Sequence, residues 1–91
     1  MYKLFFLKTA AKELKKLEKG LQIEIKTKIS LLQNNPKKGK PLKHSHMWTL
    51  RVQKYRIIYE IKLANKEIII LHILHRKNAY LDFSKIFSFL L

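Results

Sequence analysis

The chain has 91 residues, of which 20 are lysine or arginine and six are aspartate or glutamate, so that its formal net charge is +14. Hydrophobic residues make up 47% of the sequence, which excludes a disordered basic tail and fits one domain with a single modest core. The absence of cysteine excludes a disulfide framework, a cysteine nucleophile and a cysteine-ligated zinc site, and it fits a reducing cytoplasm.

A polyanion is the simplest partner for this charge, because repulsion among so many cations opposes the compact state. Each phosphate that a lysine or arginine neutralises releases counterions and adds to affinity, so nucleic acid is the first candidate. The alternative is a charge that serves only solubility. We expect no membrane association, since the apolar segment at residues 86–91 is far shorter than the ~20 residues that span a bilayer.

The first part of the chain predicts one strand followed by two helices. Residues 2–7 are rich in aromatic side chains, which predicts a short strand buried on nearly both faces. Hydrophobic residues then repeat every three or four positions over residues 10–19 and 21–33, which predicts two antiparallel helices. Thr9 is expected to cap the first helix and Gly20 to end it.

The buried face of the second helix is expected to combine one regular stripe with two flanking side chains. Pro36 follows this helix and ends it, since proline disfavours helical geometry in the residue before it. The stripe comprises Leu21, Ile25, Ile29 and Leu32, and the flanking side chains are Ile23 and Leu31.

The middle and end of the chain predict a basic loop, three strands and a last helix. Residues 36–46 contain four lysines together with a glycine and two prolines, which is typical of a loop. Beyond the loop the pattern changes to strict alternation and then to β-branched runs, which predicts strands at residues 48–53, 55–62 and 67–74. Their short connections favour an antiparallel meander, and residues 81–91 predict an amphipathic helix.

This order predicts a small single α+β domain over residues 1–91, with the succession β-α-α-β-β-β and a C-terminal helix. We expect a mostly antiparallel, twisted sheet with the helical hairpin on one face and the other face open or partly covered. Arg51 and Arg56 then lie on adjacent strands, and Arg76 lies at the end of the third strand of the meander. His72, within an apolar strand, is expected to be an interior or interface histidine.

Four segments carry a pattern that extends over essentially the whole chain: residues 11–17, 35–43, 50–61 and 75–80. In this order and at these spacings they resemble the RelE/ParE superfamily of toxins from bacterial and archaeal toxin–antitoxin pairs. The resemblance implies a RelE-like fold. The superfamily includes ribosome-dependent mRNA endonucleases and inhibitors of DNA gyrase.

The endonuclease activity, as the resemblance implies, sends the ribose 2′-hydroxyl against the adjacent phosphorus and expels the 5′-oxygen. This chemistry needs a proton acceptor, cations beside the phosphorane oxygens and a donor for the leaving oxygen, and it needs no metal or other cofactor. By position, Arg56 matches a phosphate-stabilising arginine and Arg76 an arginine for the leaving group. Arg51 matches a catalytic lysine, and Tyr80 represents the C-terminal catalytic tyrosine.

Two departures from the family pattern concern proton transfer. Thr49 stands where a second catalytic lysine falls, and Tyr80 follows Arg76 by fewer residues than in the reference enzyme. Arginine at position 51 keeps the charge but is a poor proton acceptor. A histidine titrates near neutrality and is an alternative acceptor. The candidates are His44, His46 and His75.

The other basic residues around these positions are expected to bind RNA. They are Lys37, Lys38, Lys40, Lys43, Lys54 and His75. The simplest alternative for the loop lysines is a solvated turn without a partner. A metal site is not expected, because His44 and His46 have no third ligand nearby.

We interpret the chain as the toxin of a toxin–antitoxin pair that acts as an mRNA endonuclease and inhibits translation in the cytoplasm. The expected partners are the ribosome, mRNA and a cognate antitoxin in a heteromeric complex. The charge of the chain predicts that this antitoxin is acidic and amphipathic. A gyrase inhibitor and a non-catalytic basic RNA-binding domain are the alternatives.

Overall fold

In the part of the chain that the structure describes, five strands form one sheet in the order β1-β5-β4-β3-β2, and two helices precede its central meander. The computed structural model describes residues 1–43 and 45–77 of the chain. His44, Tyr80 and the predicted helix at residues 81–91 lie outside the described residues. The elements are β1 Lys3–Phe6, α1 Lys8–Lys15, α2 Lys19–Leu31, a 3-10 turn Pro36–Lys38, β2 Lys40–Pro41, β3 Met47–Val52, β4 Tyr55–Lys62 and β5 Glu67–His75.

The predicted meander is confirmed. Strands β3, β4 and β5 pair in antiparallel fashion, and β4 has the bounds that its β-branched and aromatic residues predict. Strand β1 pairs with β5 in parallel, so the first strand of the chain lies beside the last one. The short β2, within the predicted basic loop, adds a fifth strand that the sequence pattern did not indicate.

The boundary between the helices differs from the prediction. Helix α1 ends at Lys15, and Gly20 is the second residue of α2 rather than the end of α1. The reason is Glu18, whose side chain accepts a hydrogen bond from the Leu21 N–H at 3.1 Å and so caps α2 two residues before Gly20. The expectation for Thr9 is also wrong: it lies inside α1, and no side chain caps that helix.

The core lies between the helices and one face of the sheet. Ile25 and Ile29 of α2 and Leu32 directly after it are buried, as the stripe predicts, whereas Leu21 is half-buried. Ile23 and Leu31 are 66% and 43% exposed, so their expected burial is wrong. Helix α2 contacts its neighbours along one stripe only, and these two side chains lie off it. The sheet side of the core comprises Leu50, Val52, Ile57, Tyr59, Ile68, Ile70 and Ile73.

Strand β1 is an edge strand, and its predicted burial is also wrong. Phe5 and Phe6 are 46% and 38% exposed. At the sheet edge a side chain has strand neighbours on one side only, so β1 cannot be covered as fully as the central strands. Among the described residues, no helix combines the length and hydropathy needed to cross a bilayer.

Candidate functional site

The sheet has two chemically different faces, because successive side chains of a strand point to opposite sides. Leu50 and Val52 belong to the core beneath the helices, so Arg51 between them lies on the opposite face. Arg56 precedes the core residue Ile57 and lies on that opposite face too. We call this surface the arginine face. It confirms the predicted arrangement of a helical hairpin on one side and basic strand residues on the other.

Arg51 and Arg56 are direct partners in the ladder between β3 and β4. Directly opposed side chains on antiparallel strands have their Cβ atoms about 5 Å apart. Arg51 is exposed and Arg56 half-buried, and the Arg51 Nε–H points to the Gln53 carbonyl at 3.5 Å. Two guanidinium groups therefore leave the sheet at one position, where a single phosphate has room to contact both.

Arg76 lies at the same end of the sheet. Its N–H donates a hydrogen bond of 2.7 Å to the carbonyl of Lys54, which lies in the two-residue turn between β3 and β4. This bond connects the end of β5 to the turn that carries Lys54 and places the Arg76 backbone close to the opposed pair. Lys54 and Arg76 are both exposed. The three predicted catalytic arginines and Lys54 thus gather at one end of the molecule.

Four carboxylates in the described part of the chain, those of Glu13, Glu18, Glu24 and Glu60, have partners away from the arginines. Its two ion pairs join Lys62 to Glu60 at 3.2 Å and His72 to Glu13 at 3.4 Å. Glu13 also accepts a hydrogen bond of 3.0 Å from a β5 backbone N–H, which explains the partly buried position of His72 at a contact with α1. No carboxylate of residues 1–43 and 45–77 pairs with an arginine. The arginine charges therefore remain available to an anionic partner.

The turn beneath Arg51 is held from the helix side. Gln53 has a positive φ of 53°, a backbone region that non-glycine residues rarely occupy, as the first residue of this two-residue turn. Its side-chain amide donates a hydrogen bond to the carboxylate of Glu24 in α2. The contact links α2 to the end of β3 and restricts the backbone from which Arg51 projects.

The basic loop, residues 36–46, is bound to the sheet through one buried hydroxyl. Tyr59 is fully buried, and its O–H donates to the Pro36 carbonyl at 2.7 Å. The same oxygen accepts a hydrogen bond of 3.2 Å from the Gly39 N–H. Burial raises the pKa of the Tyr59 hydroxyl above its usual value, an effect that the Gly39 hydrogen bond partly offsets. The Tyr59 ring also stacks on Trp48 at 6.4 Å between centroids.

Gly39 is required by the close approach of the loop to the sheet. A Cβ atom at this position would lie 2.4 Å from the Thr49 carbonyl oxygen and 2.7 Å from the Tyr59 hydroxyl oxygen. Neither distance is tolerated, since the first neighbour is backbone and the second is a buried side chain. The lysines of the loop therefore project from a fixed backbone and not from a free turn. Lys37, Lys38, Lys40 and Lys43 are all exposed.

Of the predicted histidines, the structure describes His46 and His75, and it brings neither to the arginine pair. His75 is the ladder partner of Tyr55, and the two rings meet edge to face at 5.2 Å, which places His75 on the helix side of the sheet. Its Nδ1 accepts a hydrogen bond from the Lys77 N–H at 3.2 Å. His46 is exposed within the basic loop. In the described part of the chain, no three residues of metal-binding type lie together.

Residues paired across neighbouring strands form a row of the sheet, and Thr49 lies in the row next to that of the arginine pair. It lies on the arginine face two residues before Arg51, opposite Ile58 of β4. Its hydroxyl oxygen is buried and has no hydrogen-bond partner in residues 1–43 and 45–77. The side chain thus contributes no charge where the family pattern has a lysine. Lys40 is the ladder partner of Thr49 from β2, so a cation does reach this row from the neighbouring strand.

A family model covers most of the chain and agrees with this geometry. Residues 4–80 match the model of the ParE toxin of type II toxin-antitoxin system, parDE. The chain is a toxin of the RelE/ParE superfamily. A search of curated protein sequences found no match to this toxin.

Solved structures share the fold of this toxin. A chain in the RelB–RelE antitoxin–toxin complex from Methanococcus jannaschii is 33% identical with a TM-score of 0.68, and the match covers 84% of the toxin and 94% of that chain. A chain in the toxin–antitoxin complex RelBE2 from Mycobacterium tuberculosis is 27% identical with a TM-score of 0.74, and the match covers 81% of the toxin and 96% of that chain. A chain of the chromosomal ParDE system from P. aeruginosa is 22% identical with a TM-score of 0.68, and the match covers 82% of the toxin and 96% of that chain. The predicted α+β, RelE-like fold is confirmed.

Proposed function

We propose that the toxin is a ribosome-dependent mRNA endonuclease that inhibits translation. The observation that carries this proposal is the opposition of Arg51 and Arg56 on one sheet face, with Arg76 bonded through its backbone to the adjacent turn. Such a cluster of guanidinium groups, which pair with no carboxylate of residues 1–43 and 45–77, suits the charge that develops on a phosphate under attack. The proposal places the activity in the cytoplasm, where translating ribosomes are found.

The arginines divide the work between the phosphate and the leaving group. Arg51 and Arg56 contact the non-bridging oxygens of the phosphate as the neighbouring 2′-hydroxyl attacks phosphorus. Arg76 stabilises the 5′-oxygen as its bond to phosphorus breaks. Guanidinium groups remain protonated and donate only, so none of the three takes the 2′ proton. We assign that step to Tyr80 in its phenolate form; if Tyr80 instead stacks on a base, water takes the proton. In both cases the departing 5′-oxygen gains its proton from water.

The lysines of the basic loop, with Lys54, bind the RNA backbone around the reacting phosphate. Their fixed attachment through Tyr59 and Gly39 supports this role, since a preorganised cation loses less conformational entropy when it binds. Such contacts position the substrate without reading its sequence. His75 lies on the helix side of the sheet, so it contacts RNA only where the strand extends past the edge of the arginine face.

A reconstituted translation reaction tests the activity. Purified toxin is added to ribosomes translating a defined mRNA, and new 5′ ends are mapped by primer extension. We expect cuts only in translated mRNA, and we expect Arg76→Ala to slow cleavage by about 10²–10³-fold, the usual cost of losing a preorganised partner of the developing charge. Lys62→Ala is the matched control, because it removes one charge where Lys62 already pairs with Glu60.

Inhibition of DNA gyrase is the second candidate function. The matching family model is that of a ParE toxin, and Thr49 takes the place of a lysine in the endonuclease pattern. Supercoiling assays with purified gyrase separate the two activities. If mRNA stays uncut and gyrase cleavage complexes accumulate, the toxin is a gyrase inhibitor and the endonuclease proposal is wrong. A toxin that causes neither effect is a basic RNA-binding domain without catalysis.

We also propose that the toxin forms a heteromeric complex with an acidic antitoxin. The similar chains from M. jannaschii and M. tuberculosis were solved as toxin–antitoxin complexes. The net charge of +14 favours an acidic partner segment. A segment that covers the arginine face blocks RNA from Arg51 and Arg56.

A further inference from the structure

Lys40 projects onto the arginine face. A Cβ atom on Gly39 would point at the Tyr59 hydroxyl, which lies on the helix side of the sheet. The Gly39 backbone is extended, with φ −75° and ψ −164°, so the next side chain points the opposite way. The strand pairing also places Lys40 on this face, because it pairs directly with Thr49, whose side chain lies on the arginine face.

Lys40 and the arginine pair occupy neighbouring rows of this face. Thr49 and Arg51 are two residues apart on β3, which corresponds to about 7 Å along a strand. This spacing is comparable to the separation of consecutive phosphates in an extended nucleic-acid strand. The row of Arg51 and Arg56 therefore matches one phosphate, and the row of Lys40 matches the next one along β3.

The cationic character of this face ends one row farther on. Glu60 pairs with Met47 in the ladder and forms an ion pair with Lys62. A third phosphate in line with the first two would approach this charge-balanced pair and not an unpaired cation. The other loop lysines do not extend the rows: Lys37 and Lys38 lie on the 3-10 turn, outside the strands. The face thus offers two consecutive cationic rows and then a charge-balanced one.

We infer that Lys40 binds the phosphate next to the reacting one, so that the RNA strand runs along β3 over two consecutive phosphates. This inference rests on the proposed function of the arginine face and adds the path of the substrate across it. Tyr59 and Gly39 act as positioning residues, because their contacts set the direction of Lys40 without touching RNA. The minimal ligand is then a trinucleotide with two phosphates.

The test measures binding without catalysis. A 2′-deoxy dinucleotide with one phosphate and a 2′-deoxy trinucleotide with two phosphates lack the attacking hydroxyl, and their affinity is measured by NMR titration at several salt concentrations. We expect the wild-type toxin to bind the trinucleotide more tightly. Lys40→Ala removes this gain and lowers the salt slope by about 0.7, which amounts to about fivefold in affinity at 0.1 M salt relative to 1 M.

Lys28→Ala is the matched control, since it removes the same charge from an exposed position of α2, on the opposite side of the sheet from the arginine face. It is expected to retain the gain from the second phosphate. A gain that survives Lys40→Ala, or that both variants lose equally, overturns the inference. A wild-type toxin with equal affinity for the two ligands overturns it as well.

Cleavage in the translation reaction distinguishes failure of the inference about Lys40 from failure of the proposed function. If mRNA is cut but Lys40→Ala behaves as Lys28→Ala in binding, only the substrate path is wrong. If mRNA is not cut, the endonuclease proposal fails whatever the binding shows. In cleavage, Lys40→Ala is expected to raise KM about fivefold and to leave kcat near the wild-type value, because the contact is made equally in the ground state and the transition state.

Discussion

Arg51 and Arg56 oppose each other across the β3–β4 ladder, and no carboxylate of the described residues pairs with either. Like charges directly opposite on antiparallel strands destabilise a sheet, by an amount on the order of 0.2–1 kcal/mol. Hydrophobic or opposite-charge pairs at the same position stabilise it. The pair therefore opposes folding, and the proposed binding of a phosphate gives a reason for its presence.

The first prediction separates these two effects at Arg56. Arg56→Gln removes the repulsion, so we expect the free energy of unfolding to stay unchanged or to rise by up to about 1 kcal/mol. Cleavage of translated mRNA is expected to fall by about 10²–10³-fold, since a partner of the reacting phosphate is lost. Urea unfolding and single-turnover cleavage measure the two quantities. A variant that loses activity and stability together contradicts the assignment and makes Arg56 a structural residue.

The second prediction concerns the hydroxyl that binds the basic loop. Tyr59→Phe leaves the Pro36 carbonyl and the Gly39 N–H without their partner, and we expect a loss of about 1–3 kcal/mol in unfolding free energy. Tyr55→Phe is the control, because its ring packs at the edge of the core. Equal effects of the two substitutions on urea unfolding would show that the loop bonds of Tyr59 contribute nothing of their own.

The third prediction follows from the raised pKa of Tyr59. In the folded state the hydroxyl holds its proton to a higher pH than in the unfolded state, where its pKa is near 10.0. Its contribution to stability is therefore complete below pH 10 and is lost as the pH rises from there through the folded-state pKa. The stability difference between the wild-type toxin and Tyr59→Phe is expected to shrink in this alkaline range. Parallel urea titrations at pH 8 and above pH 10 check it, and a constant difference contradicts it.

The fourth prediction concerns Gly39. Gly39→Ala places a methyl group against the Thr49 carbonyl, so the loop must move away from β3 and lose the β2 pairing. We expect destabilisation of about 1–3 kcal/mol, as for other overpacked sites, with faster hydrogen exchange at the Gly39 and Leu42 amides. Gly20→Ala is the comparison, because its Cβ would meet only the Glu18 side chain. Unchanged exchange in the loop of Gly39→Ala would show that the close approach is not required.

The fifth prediction concerns the antitoxin. If the partner is acidic, the association rate with the toxin falls as salt rises, while the dissociation rate changes little. Stopped-flow mixing at salt concentrations from 0.05 to 0.5 M, values chosen to span the range in which screening changes, measures both rates. An association rate that is independent of salt contradicts charge-guided binding.

The strands of the meander could be predicted from sequence because the information is local. Alternation around Leu50 and the β-branched run of β5 each determine one element and its two faces. The position of Arg51 and Arg56 on the face opposite the helices followed from the same alternation. The strand β2 could not be found this way, since two residues that include Pro41 form a strand only through their contact with β3.

The parts of the site that sequence reasoning missed depend on distant partners. In the sequence, Tyr59 is one of several core residues of β4. Nothing near it in sequence indicates that its hydroxyl forms hydrogen bonds with residues of the loop. His75 was grouped with Arg76 because the two are neighbours in sequence. Its pairing with Tyr55 instead directs the ring to the helix side of the sheet.

The parallel pairing of β1 with β5 has a consequence for the order in which the molecule becomes complete. Lys3 leaves the ribosome early, but its ladder partner Glu67 is synthesised only near the end of the described chain. Closing so long a loop costs chain entropy before any contact offsets it, so this pairing is expected to form late and slowly. Arg76 is synthesised later still, although its bond to Lys54 closes a much shorter loop. A nascent chain therefore holds an incomplete arginine cluster until residue 76 has been synthesised and the end of β5 has met the turn at Lys54.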